Sequence, residues 1–333
     1  MKRSIPKVAV IGAGNVGATA VYYIAEKDLA DIVMVDVVEG LPQSKSLDFL
    51  HAAPLRRYGV RIEGSTDYAS IAGADVVVLT AGVPRKPGMD RMDLLKINVG
   101  IAKHAAQAIA RYAPEAVVVV VTNPLDVICA VVLRETGFAL RKVVGQAGVL
   151  DAARFRYFIA EELGVWPGDV MAMVLGGHGD EMVPLRGFTS VGGLPITELL
   201  EPEAIERLIE RTRQGGGEIV KLLKAGSAYY APGASAAKMV EAIVKDEKRL
   251  LAASAYLRGE YGHQDLFLGV PVLLGRGGVE KIVELSLTPA EKSSLDRSAG
   301  AVREGLALLD SFYRPGRLAD RSGRPADKPG GAA

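Results

Sequence analysis

The 333-residue chain is short of cysteine, asparagine, tryptophan and net charge, and each shortage closes a class of function. Its one cysteine, Cys129, has no partner for an internal disulfide and no CxxC neighbour for a metal. That suits a reducing, cytoplasmic setting. Basic residues exceed acidic ones by one, so no general positive field draws nucleic acid or anionic lipid. No apolar run approaches the ~18 residues that a membrane helix requires. The start, Met1-Lys2-Arg3, is basic, but the apolar run behind it is short and ends in glycines, which reads as a mature N-terminus. There is no HExxH, no GxxxxGK[ST] phosphate loop and no GxSxG elbow. Asparagine occurs three times, as Asn15, Asn98 and Asn123. Such scarcity suits a heat-adapted protein and equally a GC-rich coding sequence.

What is present is an ordinary globular chain, long enough at ~150 residues per domain for two domains. The first half alternates β-rich runs (residues 7–11, 32–37, 60–64, 75–80 and 116–122) with helical stretches (15–27, 41–53 and 92–112). The runs are rich in valine and isoleucine on both faces, as in a parallel sheet covered by helices. The second half opens with a helix near 151–163. A Gly/Pro-punctuated, strand-rich stretch follows, then helical patterns over 201–224, 234–245 and 289–309, with strands over 250–257 and 270–274. The predicted fold is therefore α/β: a doubly wound parallel sheet over residues 1–148, then an α+β domain over 149–313. The segment 314–333 is basic and poor in apolar residues, and is expected to be a disordered tail.

Gly12-Ala13-Gly14-Asn15-Val16-Gly17 is a GxGxxG between the first strand and the first helix. Its glycines let backbone approach a pyrophosphate, and the helix N-terminus offers free N–H groups to it. Asp36 ends the second strand, where a carboxylate binds adenosine ribose hydroxyls and repels a 2′-phosphate. No arginine follows it closely. A basic loop, Gly82-Val83-Pro84-Arg85-Lys86-Pro87-Gly88-Met89-Asp90-Arg91, leaves the fourth strand at the edge where ligands bind, and arginines there suit carboxylates. Val121-Thr122-Asn123-Pro124 ends the fifth strand, where Asn123 either meets a ligand or caps the next helix. Asp151 and Arg154 share one face of a helix. His178 stands among glycines in Gly176-Gly177-His178-Gly179-Asp180, which leaves its imidazole approachable for proton transfer.

Together GAGNVG, VDV, AGVPRKPGMDR, VTNP, GVLDAARFR and GGHGDEMVP resemble the lactate/malate dehydrogenase family in order and spacing, and the likeness reaches from residue 5 to about 312. The resemblance implies a Rossmann domain holding NAD and a hydride transfer between NAD and a 2-hydroxy acid. It implies that His178 exchanges the hydroxyl proton and that Asp151 orients it. Arg154 would grip the carboxylate beside the reacting carbon, Arg91 would polarise the carbonyl, and Asn123 would touch substrate and nicotinamide ribose. The residues from Gly12 to Gly17, with Asp36, Asn98 and Val121, would line the cofactor. Arginine at position 85 resembles the malate enzymes, glutamine the lactate enzymes, so malate and oxaloacetate are the expected substrates and L-lactate the alternative. The resemblance also implies a homodimer or homotetramer. An NAD-dependent glycosidase would need a cysteine-histidine metal set, which the sequence lacks. A binding protein without turnover has no use for the set His178, Asp151, Arg154 and Arg91. Two departures from the pattern, Glu181 after Gly-His-Gly-Asp and Ala152 in place of a frequent serine, bear on the pH profile. An acid at 181 is expected to raise the His178 pKa.

Overall fold

The computed structural model describes residues 5–84, 91–224 and 226–313, and of Arg91 the backbone only. The expected tail and Arg85 lie outside the described residues.

The first half builds β1 (Lys7–Ile11), α1 (Asn15–Glu26), β2 (Asp31–Val35), α2 (Leu41–Arg56), β3 (Ile62–Ser65), β4 (Val76–Leu79), α3 (Arg91–Tyr112), β5 (Val117–Val120), α4 (Leu125–Thr136) and β6 (Val143–Gly145). The strands run parallel in the order β3-β2-β1-β4-β5-β6. β4 reads VVVL and β5 VVVV, and every one of these residues is buried. Successive residues of β1 feed opposite cores: Val8 and Val10 pack on one side of the sheet, Ala9 and Ile11 on the other. β-branched chains on both faces explain why these strands read as unbroken apolar runs. The strand order reverses between β1 and β4, which opens a crevice at their carboxyl ends.

The second half begins with α5 (Gly148–Leu163). Five two-residue strands follow: β7 (Val170–Met171), β8 (Val174–Leu175), β9 (Val183–Pro184), β10 (Ser190–Val191) and β11 (Leu194–Pro195). Then come α6 (Pro202–Leu223), α7 (Tyr230–Val244), β12 (Arg249–Arg258), β13 (Gln264–Gly275), β14 (Gly278–Ile282) and α8 (Pro289–Tyr313). α5 and α6 enclose a separate core around Phe155, Ile159, Leu208 and Ile209.

The sheet does not stop at residue 148. β12 joins β6 in antiparallel pairing, Ser254 opposite Gly145, and β13 and β14 extend the sheet to nine strands. An edge strand leaves backbone N–H and C=O groups unpaired, and the later strands satisfy them. Gly145 permits the approach: a Cβ there would lie 2.8 Å from the Ser254 Cβ and 2.9 Å from the Cys129 Sγ. The sequence indicates α4 only as a helix following Pro124. Eight of its twelve residues are buried, so it lacks the polar face that marks a helix by periodicity.

Lys27, just beyond α1, reaches Glu241 of α7 at 2.7 Å, and Lys245 and Lys238 lie 2.9 and 3.5 Å from the same carboxylate. Burial would raise the Glu241 pKa, but the three ammonium groups outweigh it and hold it at about 2. A depressed carboxyl pKa stabilises the fold above the unfolded value and loses that stabilisation as pH falls through the folded value. Glu241→Gln is therefore expected to cost on the order of 1–3 kcal/mol near neutral pH, the lysines being partly exposed. The difference from the parent in denaturant unfolding should shrink between about pH 4.5 and pH 2. An equal difference at pH 7 and pH 3 would mean that lost packing, not charge, sets it.

Candidate active site

The glycine loop turns at the carboxyl end of β1. Gly12 has φ +108°, and a Cβ there would lie 2.6 Å from the Ala81 backbone nitrogen. A Cβ on Gly17 would come within 1.9 Å of the Gly12 carbonyl oxygen, so helix and loop pack only without side chains. Nothing would meet a Cβ on Gly14, which leaves the α1 N-terminus open. No side chain caps that helix. Open N–H groups beside a glycine turn fit a dinucleotide pyrophosphate. Asp36 follows β2 and accepts the Ala13 N–H at 2.7 Å and the Val38 N–H at 3.0 Å, so its carboxylate is fixed beside the loop. Two groups missed in the sequence hold the same loop. The Thr80 hydroxyl donates to the Gly12 carbonyl at 3.0 Å, and the Lys45 ammonium donates to the Ala13 carbonyl at 2.7 Å.

Charge at Asp36 would lie beside any 2′-phosphate, and like charges at close range cost several kcal/mol where solvent is poor. The parent is expected to prefer NADH strongly over NADPH, with the preference relaxed in Asp36→Ser. Equal kcat/KM for the two cofactors in the parent would contradict this role.

Asn98 is buried, and its amide is taken up within the protein. Its oxygen accepts the Val83 N–H at 2.9 Å, and its nitrogen donates to the Asn123 carbonyl at 2.8 Å. It ties the start of the basic loop to the end of β5. Asn123 itself is exposed, and Val121 is half-buried with its N–H bonded to the Leu79 carbonyl. Arg91 opens α3.

The sites of the second half meet across 27 residues of chain. His178 Nδ1 lies 2.8 Å from Asp151 Oδ2, and the Arg154 Nη1 donates to Asp151 Oδ1 at 3.2 Å. The Asp151 side chain is 2% exposed and that of His178 16%. A carboxylate on Nδ1 fixes the proton there and leaves Nε2 for exchange. Burial pulls the His178 pKa down, and the Asp151 charge and hydrogen bond outweigh it, so the net shift is upward. Arg154 opposes the rise and Asp126 adds to it. Glu181 is exposed and lines a cleft with Arg213 and Arg297. An acid distant in sequence, Asp126, stands beside Asp151 among the groups that favour the charged imidazole.

α6 carries three consecutive glycines, Gly215-Gly216-Gly217. Gly215 and Gly216 sit inside the helix, where glycine costs about 1 kcal/mol relative to alanine. A Cβ on either would stand 3.4–3.5 Å from the Arg154 side chain, an ordinary van der Waals contact that does not by itself require glycine.

A family model for the NAD-binding domain of lactate/malate dehydrogenases matches residues 6–145, and one for the α/β C-terminal domain of the same enzymes matches residues 148–312. The chain belongs to the lactate/malate dehydrogenase family. It is 57% identical over 298 residues to a malate dehydrogenase of Thermomicrobium roseum, covering 90% of this chain and 96% of that protein. The apo malate dehydrogenase of Picrophilus torridus superposes with a TM-score of 0.91 at 44% identity, covering 93% of this chain and 99% of that one. A Cryptosporidium parvum lactate dehydrogenase, solved with lactic acid and nicotinamide adenine dinucleotide, superposes with a TM-score of 0.89 at 42% identity, covering 92% and 99%. Membership in this family makes the first half an NAD-binding domain, and the glycine cradle, open α1 N-terminus and Asp36 fit that cofactor. Since lactate and malate enzymes superpose equally well, the backbone does not choose between the two substrates.

Proposed function

We propose that this protein interconverts (S)-malate and oxaloacetate with NAD, His178 carrying the proton. The observation that carries the reading is the buried chain Arg154–Asp151–His178, with Nε2 of the imidazole left for substrate. When bound, the nicotinamide takes the hydride from C2 of malate. His178 accepts the hydroxyl proton at Nε2, and Asp151 stabilises the imidazolium that results. Arg154 offers the remainder of its guanidinium fork to the carboxylate next to C2, matching it in bidentate fashion. Arg91 polarises the carbonyl of oxaloacetate, Asn123 positions substrate, and Arg85 receives the second carboxylate. The choice of malate over lactate rests on arginine at 85 and on the malate dehydrogenases among the relatives. A panel of 2-oxo acids with NADH, followed by nicotinamide absorbance, tests it, and fastest turnover of pyruvate would overturn it.

Exposed Leu47, Leu50 and Leu55 on α2 support self-association as a homodimer or homotetramer. Light scattering across a concentration series distinguishes the two, and a monomer at all concentrations refutes both.

A further inference from the structure

Asp126 lies in the first turn of α4, three residues after Asn123, and is buried. Its Oδ1 accepts the Ser254 hydroxyl of β12 at 2.6 Å. A Cβ on Gly177 would lie 3.3 Å from its Oδ2, so the Gly177-His178 backbone rests against it. The same loop is pinned elsewhere by neutral groups: the Gly177 N–H donates to the Ser298 hydroxyl of α8 at 2.8 Å, and the Gly176 N–H to the Gly269 carbonyl of β13 at 2.8 Å. Asp126 is the anchor that carries a charge. It also stands on the NAD-binding half, whereas His178 belongs to the other.

We propose that Asp126 is a positioning residue for His178, fixing its backbone from α4 and supplying a second negative charge that favours the imidazolium. The inference rests on His178 as proton carrier. Among the described residues, the ionisable groups acting most strongly on His178 are Asp151 and Arg154 from α5 and Asp126 from α4. β12 faces Asp126 with a hydroxyl, and α4 adds the Cys129 thiol, which burial keeps neutral. Burial pushes the Asp126 carboxyl up to about 6, with Ser254 and His178 opposing, so it is mostly ionised at neutral pH.

The sign follows from the chemistry. Reduction of oxaloacetate needs protonated His178, so its kcat/KM falls as pH rises through the His178 pKa. Removing the Asp126 charge lowers that pKa. The chain has four histidines, so the His178 imidazole is assigned in an NMR titration by its loss in His178→Ala. In full-length Asp126→Asn the His178 midpoint should fall by roughly 0.5–1 unit, and the falling limb of oxaloacetate reduction should move with it. NADH binding should stay nearly unchanged. A folded Asp126→Asn with the parent's His178 midpoint overturns the proposal, even if its kcat is low. If Asp126→Asn does not fold, Ser254→Ala decides. Without its hydroxyl donor the Asp126 carboxyl protonates more readily, so the midpoint should fall in the same direction by less, and an unmoved midpoint refutes the charge role. Because the titration does not depend on turnover, a shifted midpoint in a protein inactive on oxaloacetate would reject the proposed reaction and leave this inference standing.

Discussion

Replacing His178 by alanine is expected to abolish most turnover while leaving NADH binding nearly intact. Asp151 holds the imidazole at Nδ1, which leaves Nε2 for substrate. Positioned acid-base groups contribute roughly 10²–10⁴ in rate, and a loss of that order is the expected result. The glycine cradle, Asp36 and Thr80 stand on other elements, so fluorescence titration with NADH should change little. The parent's pH dependence should carry the same signature. Because the His178 pKa stands above its ordinary value, oxaloacetate reduction should persist to higher pH than a free imidazole would allow. Malate oxidation, which needs the neutral imidazole, should rise with pH across the same range. Near-parent kcat in His178→Ala would move the proton to another residue.

Arg85→Gln should lower kcat/KM for oxaloacetate by about 10²–10³ and raise that for pyruvate. Oxaloacetate carries two carboxylates and pyruvate one. With Arg154 on the shared carboxylate, the second needs its own cation. An arginine facing the methyl group of pyruvate stays unpaired, which penalises the wrong substrate as well as rewarding the right one. Both substrates must be measured in each variant, because a misfolded protein loses both activities together. An unchanged oxaloacetate/pyruvate ratio would remove Arg85 from substrate choice.

Local sequence carried most of the cofactor half. GxGxxG, an acid about 20 residues on, and valine runs each encode a backbone requirement within a few residues, so β1, α1, β2, β4 and β5 are legible without the fold. The largely apolar α4 was not, because burial of eight of its twelve residues weakens the period that reveals a helix. The residue types of the catalytic group were also readable: a histidine among glycines, and Asp151 one helical step from Arg154. Their meeting was legible only through the family resemblance, since no spacing rule joins positions 151 and 178. The tertiary structure decided that contact by packing α5 against β7 and β8, ahead of the His178 loop. It decided the burial of Asp126 as well, by setting α4 against β13 and placing Ser254 of β12 on its carboxylate. And it set Asp126, 52 residues away in sequence, among the charges that favour the imidazolium, because electrostatic influence follows distance through space and not along the chain.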